Sequence, residues 1–289
     1  MRGGGARVDA VQVLLWGFTL AVLGFLLFPL IAVFPISVSA DTILQFPPSD
    51  VSLRWYEEFF SDREWTDALF LSIRLGVAVA LLSTVLGLAC AVAITRYMRR
   101  GKRTMRALVL APLMVPVIVT AIAIFDVAID LRLVGTFWGL LLAHTVLALP
   151  FAVVVLESAL KSVDRNLEDA AVSLGANRLQ AFVKVTVPIL RPAIFTALLI
   201  TFVTSWDEVV VVLFIGGAFE QTLPVRMFEF LTTQVRPTVA AASGVLIAAL
   251  LIGAVLASVI GWARRRRLER FIAYEVPATT GDARSPGPP

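Results

Sequence analysis

One cysteine and one histidine serve the whole 289-residue chain, and only 16% of its residues are charged. A soluble domain carries roughly 25% charged residues, so water is not the main solvent of this protein. Cys90 has no second cysteine to pair with, which excludes a disulfide framework and a cysteine-ligated metal site. It lies in an apolar run and reads as packing. His144 stands in no zinc-binding spacing, and a lone histidine among apolar residues is more often packed or hydrogen-bonded than a ligand, so no metal or other cofactor is expected on this chain. Also missing is any Gly-x-x-x-x-Gly-Lys-Ser/Thr phosphate loop, so the chain cannot itself cradle ATP in the usual way. No nucleophile, base and orienting residue recur in a catalytic pattern, and the chain is not expected to be an enzyme. No internal repeat or Gly/Ser linker marks a second domain.

What is present is mostly hydrocarbon. Hydrophobic residues make up 58% of the chain. A helix needs roughly 20 apolar residues to cross about 30 Å of bilayer core, and such runs occur near 11–38, 68–95, 107–129, 137–159, 192–215 and 239–262. The expectation is an all-α polytopic membrane protein with six transmembrane helices. It would form one domain over 1–274, followed by a disordered cytoplasmic tail, 275–289, rich in Pro, Gly and Ala. The first run ends in Ser37-Val38-Ser39-Ala40, which resembles a signal-peptidase site, but its apolar part far exceeds the roughly 7 to 15 residues of a secretory core, so a retained span is expected.

Orientation follows from lysine and arginine, which collect in cytoplasmic loops near span ends. With six crossings, 19 of the 25 fall on the side that holds both termini, in groups around Arg2, Arg96 to Arg106, Lys161 to Arg191, and Arg264 to Arg284. Arg54, Arg63, Arg132, Arg226 and Arg236 fall opposite, and Arg74 lies inside a span. Both termini should be cytoplasmic. The run Arg264 to Arg267 directly follows a span and expresses topology rather than nucleic-acid binding. On the outer side, Trp55, Tyr56, Phe59, Phe60 and Trp65 in the 40–66 loop read as an interfacial aromatic belt.

A cytoplasmic loop of about 30 residues, 161–190, is too long to be a simple connection between bundle helices. Its centre reads EDAAVSLGANRLQAFVKVTVP, residues 168–188. Leu167, Ala170, Ala171 and Leu174 follow helical spacing, Asn166 can cap that turn, and Gly175 supplies a reversal that a residue with a Cβ resists. Leu179, Phe182, Val183 and Thr186 repeat the pattern until Pro188 closes it. Two short helices at an angle, lying across the cytoplasmic face, are expected.

These residues resemble the membrane subunits of type I ABC importers, whose signature loop reads Glu-Ala-Ala, three residues, Gly, nine residues, Ile, one residue, Leu-Pro. Here Asp169-Ala170-Ala171, Gly175, Val185 and Val187-Pro188 keep that spacing, with Asp for Glu, Glu168 just before it, and Val for both Ile and Leu. In that family the loop is the coupling helix that fits a groove on a cytoplasmic ATPase. The resemblance therefore assigns coupling to Glu168, Asp169, Ala170, Ala171, Leu174, Gly175, Ala176, Asn177, Arg178 and Pro188. It also implies a second permease subunit, two ATPase subunits that carry the ATP and Mg2+, and a periplasmic solute-binding protein, all at a bacterial inner membrane. The stretches 52–76, 205–217 and 222–230 are similar to the spermidine/putrescine branch. Relatives importing ferric iron, amino-acid-like or other small solutes share the architecture.

Ionisable groups inside spans are costly and mark function by default. At about 1.5 Å per residue, Asp126, His144, Asp207 and Glu208 all fall in the outer half of their spans. Thr201, Thr204, Ser205 and Glu208 follow i, i+3, i+4, i+7 and would make one polar stripe facing a cavity, with Asp207 at its edge. Interhelical hydrogen bonding is the plain alternative for the hydroxyls. Adjacent carboxylates suit a cationic solute, and Trp206 could add a cation-π face. Asp126, Thr201, Thr204, Ser205, Trp206, Asp207 and Glu208 are thus the expected substrate path. Glu157 lies near the cytoplasmic end of the fourth run and reads as interfacial, and Ala249, Gly253, Ala257 and Gly261 read as a packing ridge. An ion-gradient transporter would show repeated halves and helices broken at mid-membrane, and the sequence displays neither.

Overall fold

A backbone in hydrocarbon must satisfy its own N–H and C=O groups, which is why the apolar runs fold as helices. The computed structural model describes residues 10–217, 220–233 and 236–248, and among them all regular structure is helical apart from one isolated bridge between Ser39 and Val51. Contacts gather the chain into two units, one of Met1–Tyr56 with Pro237–Pro289, the other of Glu57–Arg236.

In the first unit, α1 (Ala10–Ser37) is apolar all round and leaves Leu14, Trp16, Phe25 and Ile31 exposed. Such a helix belongs in lipid or against another chain. At its end the Ser37 hydroxyl lies 2.8 Å from the Tyr56 hydroxyl. Gly244, on α12 (Thr238–Ala248), lets that helix pass, since a Cβ there would come within 2.4 Å of the same hydroxyl. In the segment after α1, Asp41 accepts hydrogen bonds from the Ser49 hydroxyl and N–H and from the Ser39 hydroxyl, and these donors hold its partly exposed carboxyl below the usual carboxylate range. Helix α2 (Arg54–Ser61) carries the boundary between the units.

The second unit holds α3 (Arg63–Val92), which runs on as a π turn over Ala93–Tyr97, then α4 (Lys102–Leu110) and α5 (Val117–Asp130). After these come α6 (Phe137–Ser162), α7 (Asn166–Ser173), α8 (Arg178–Ala181), a second π turn over Phe182–Thr186, α9 (Val187–Trp206), α10 (Val210–Ile215) and α11 (Leu223–Thr233). Helices α3, α6 and α9 pack on one another. Small residues set the spacing: a Cβ on Gly87 of α3 would stand 2.6 Å from the Ala152 Cβ of α6, and one on Gly76 would stand 2.8 Å from the Phe202 ring of α9. Close backbone approach through small residues is how helices associate where no hydrophobic effect drives them together. Near the start of α3 the Ser72 hydroxyl accepts the Leu223 N–H at 2.8 Å and so seats the start of α11 on α3.

Among the described residues four helices are long and apolar enough to cross a membrane, or five if one bent pair counts as a span. The third run, expected as one span, is bent by 101° between Lys102–Leu113 and α5, at a break that holds Pro116 and follows a 3-10 turn with Pro112, where missing N–H groups and fixed φ angles interrupt the ladder. The fifth run stops at Trp206 instead of continuing to residue 215. Only the beginning of the sixth, as α12, falls among the described residues, so Ala249, Gly253, Ala257, Gly261, Arg264 to Arg267 and the 275–289 tail lie outside them. The belt reading of the outer aromatics also changes. Trp55, Phe59 and Trp65 are buried in protein, with Phe59 at 5.7 Å from Trp65 and Trp65 at 5.1 Å from Phe230, and of the five only Phe60 is exposed.

Replacing Gly87 with Leu should lower stability by about 1–3 kcal/mol through overpacking, read as a lower melting temperature in detergent. Gly24→Leu on α1, where nothing lies within 4 Å of the new Cβ, should leave it unchanged.

Candidate functional site

The chain leaves α6 at Ser162 and begins α7 within four residues. The Asp164 carboxylate, not the Asn166 side chain, accepts the first free N–H, that of Asn166, at 2.9 Å. Both groups are suitable acceptors, and Asp164 wins because it stands two residues ahead of the N–H it caps. Glu168 and Asp169 lie in the first turn, where negative charge suits the helix dipole. The helix ends in a Schellman arrangement: the Ala176 N–H donates to Ala171 O at 3.1 Å and the Gly175 N–H to Val172 O at 3.0 Å, with Gly175 at φ 96°. Asn177 then caps α8, its side chain and that of Gln180 exchanging reciprocal bonds with each other's N–H.

Pro188 does not close the second helix. The π turn Phe182–Thr186 precedes it, the Val187 N–H reaches back to Phe182 O, and one helix runs from Arg178 to Trp206. Proline lacks an N–H and crowds the carbonyl four residues back, and a wider turn absorbs both defects without ending the helix. The second half of the loop is therefore the foot of the fifth span.

Glu168 fastens α7 to the bundle. The Thr186 hydroxyl donates to Glu168 Oε1 at 2.6 Å, and Arg96 Nη2 lies 3.5 Å from the same oxygen. Arg96 Nη2 also donates to Val163 O at 3.1 Å. One carboxylate thus gathers the π turn that ends α3, the end of α6 and the π turn that begins α9. Asp169, at the family's Glu position, is exposed, and its carboxylate has no partner among the described residues. Beside this knot lies a cavity of about 550 Å³ with Leu88, Val92 and Phe182 in its wall and Arg165 and Arg178 at its rim. On the loop's outer face Leu174 is 90% exposed and Leu179 72%, with Leu167 and Val183 also exposed. Exposed apolar side chains on an otherwise polar helix pair are of the kind that mark protein or membrane contact sites. Ala170 is exposed and Ala171 partly covered, and Asn177 and Arg178 lie open at the start of α8.

The expected polar stripe is only partly formed. Thr201 and Thr204 donate back to Ala197 O and Ile200 O, at 2.7 and 2.8 Å, within their own helix. Ser205 lies 2.9 Å from His144 Nδ1 on α6. At Asp207 the helix ends, and Glu208 Oε1 accepts the Val211 N–H at 2.9 Å to start α10, so Glu208 is a helix cap and does not continue the stripe. Trp206 stacks on Phe202 at 5.5 Å. Helix α10 packs on α5 through Phe214 and Phe125, 6.1 Å apart, which places the break near the helix that carries Asp126. Asp126 and Asp207 are exposed, and neither carboxylate has a partner among the described residues.

Sequence reasoning gave Arg96 and Thr186 no part in holding the loop, because their shared partner Glu168 lies 72 and 18 residues away, whereas His144 is buried and hydrogen-bonded to Ser205, as a lone packed histidine was expected to be. Glu157 also differs from expectation. It is 3% exposed, with Lys161 Nζ at 2.6 Å and Arg106 Nε at 3.4 Å, and so clasps α4 to α6. Among the described residues no group of three or more His, Cys, Asp or Glu gathers to hold a metal ion.

Residues 83–269 match the family model described as binding-protein-dependent transport system inner membrane component. The chain is 32% identical over 209 residues to the spermidine/putrescine transport system permease protein PotC of Haemophilus influenzae, covering 72% of this chain and 81% of that protein. It is 31% identical over 230 residues to the putrescine transport system permease protein PotI of Escherichia coli, covering 76% and 79%. In fold it is similar to a chain of a bacterial ABC transporter involved in the import of the acidic polysaccharide alginate, at a TM-score of 0.66 and 19% identity over 90% of this chain and 99% of that one. It is likewise similar to a chain of the bacterial alginate ABC transporter in complex with an alginate pentasaccharide-bound periplasmic protein, at 0.67 and 16% over 85% and 92%.

Truncating Glu168 to Ala should cost the loop about 1–3 kcal/mol of attachment, read as faster amide exchange over 166–181. Asp169→Ala, which removes no side-chain bond, should leave exchange there unchanged.

Proposed function

The chain belongs to the family of binding-protein-dependent transport system inner membrane components, and from that premise we propose that it is the polyamine-conducting permease subunit of an ATP-driven importer. Its cargo in this reading is putrescine, spermidine or a similar organic cation. The relatives named for those solutes support the cargo, and so do exposed carboxylates on α5 and at the end of α9. The observation that carries the coupling role is the loop: a Gly175-turned helix with an apolar outer face, fastened by Glu168 and continuous with a span through α8. The family's fold in complex with a periplasmic binding protein supports delivery of solute from outside. A second permease subunit and two ATPases complete the assembly, with ATP and Mg2+ held by the ATPases and no chemistry performed by this chain. The lysine and arginine distribution favours an inner-membrane orientation with both termini and the loop in the cytoplasm.

In the proposed cycle ATP draws the ATPases together and carries α7 with them. Glu168 passes that displacement to Arg96 and Thr186, and so to α3 and α9, which open outward to receive solute. The cation then meets Asp207 and Asp126 rather than Glu208, whose carboxylate already serves the α10 backbone. The hydroxyls of Thr201 and Thr204, bonded within their own helix, shape the wall.

ATP-dependent uptake of labelled putrescine or spermidine by the reconstituted importer tests the reading, and uptake of another solute class with no polyamine transport would refute the cargo. Asp207→Asn should lower that uptake about 5- to 150-fold, the equivalent of about 1–3 kcal/mol for one charge-assisted bond. Gly175→Val, placing a β-branched residue at φ 96°, should leave the complex hydrolysing ATP without transport. Normal uptake by that variant would remove the turn from the mechanism.

A further inference from the structure

Helices break sharply at proline, at glycine, at a π turn, or where a side chain inserts itself into the ladder. Between Ala193 and Ile215 there is neither proline nor glycine, and the π turn of this run ends far upstream, at Thr186. The valines past the break are not helix breakers either, because Val210–Ile215 is itself helical. Yet α9 ends at Trp206. The cause lies outside the fifth run.

One side chain from another helix meets the last turn of α9. Thr145, Thr196, Thr201 and Thr204 each donate back to the carbonyl four residues earlier. Ser205 makes no such bond among the described residues. Its hydroxyl lies instead 2.9 Å from His144 Nδ1 on α6, and both residues are buried, at 4% and 1% exposure. The same stretch of α6 also carries α10: Leu140, Leu141 and Leu147 share a core cluster with Val211, Val212 and Ile215, and a Cβ on Gly139 would stand 3.3 Å from Ile215 Cγ2. Helix α6 thus holds the chain on both sides of the break, before it by one hydrogen bond and after it by apolar packing.

The other ring nitrogen, Nε2, is buried and has no partner among the described residues. A buried unpaired nitrogen costs stability, so an apolar side chain of the same size would serve packing better than histidine does. What the ring supplies is position. We infer that His144 is a positioning residue: through Ser205 it ends α9 at Trp206, which frees Glu208 to cap α10 and sets the Asp207 carboxylate at the turn. Its effect on the break follows from this geometry, whereas its effect on uptake rests on the cargo reading proposed above.

H144L and S205A in the assembled importer test the inference, by amide exchange over 207–213 and by the maximal uptake rate of labelled putrescine. Each variant should speed exchange and lower uptake about 10-fold, the scale of one buried hydrogen bond, and H144L/S205A should do no more than either alone. The melting temperature of H144L should equal or exceed that of the wild type, because the unpaired nitrogen is gone. H144N, whose side-chain amide can meet Ser205 as donor or acceptor, should keep both readouts near wild type. Wild-type complex that carries no polyamine refutes the cargo reading, and exchange alone then decides. Unchanged exchange in H144L and S205A overturns the inference. So does normal uptake by both where the wild type transports polyamine, or a melting temperature that falls in step with uptake, which reduces His144 to packing. If H144L cannot be purified, S205A removes the same bond with one atom and decides.

Discussion

One partly buried carboxylate ties the loop of the second unit to that unit's helical core. Glu168 lies on a short helix outside the bundle, yet its Oε1 meets Thr186 at the foot of α9 and Arg96 at the end of α3, and Arg96 in turn holds the Val163 carbonyl just past α6. Charge-assisted hydrogen bonds away from water are stronger than their exposed counterparts. The three helices joined here are the same three that pack as the core of the second unit. The loop is therefore a fourth member of that core rather than an appendage.

Much of this was legible in the residues, for identifiable reasons. Gly175 could be placed because a positive φ has a strong residue preference, and the spans because hydrocarbon tolerates only closed hydrogen-bond ladders. The errors share a cause. Pro188 reads locally as a stop, but a π turn upstream removes the conflict. Pro112 and Pro116 sit in a run apolar enough to span, yet the chain turns there by 101°. Asn166 and Asp164 are both good caps, and only the backbone path chooses between them. In each case the sequence pattern was sound and a neighbouring turn decided the outcome.

Polar residues inside the spans show the same limit. Helical arithmetic aligned Glu208 with Thr201, Thr204 and Ser205, but the helix ends one residue earlier and Glu208 caps the next segment. Ser205 found a partner in His144, which sequence distance concealed. Toward its Trp206 end the fifth run does carry an exposed carboxylate, Asp207, without a partner among the described residues and next to a backbone break packed on α5.

The continuous helix from Arg178 to Trp206 has a mechanical meaning. Its attachment at Thr186 acts as a fulcrum dividing it into unequal arms, about 12 Å toward the loop and about 30 Å toward the break at Asp207, at 1.5 Å per residue. Such a lever magnifies displacement roughly 2.5-fold from the short arm to the long one. In the proposed cycle a shift of about 1 Å at the loop would become about 2.5 Å at the Trp206 end, close to the diameter of one water molecule. The geometry trades force for travel.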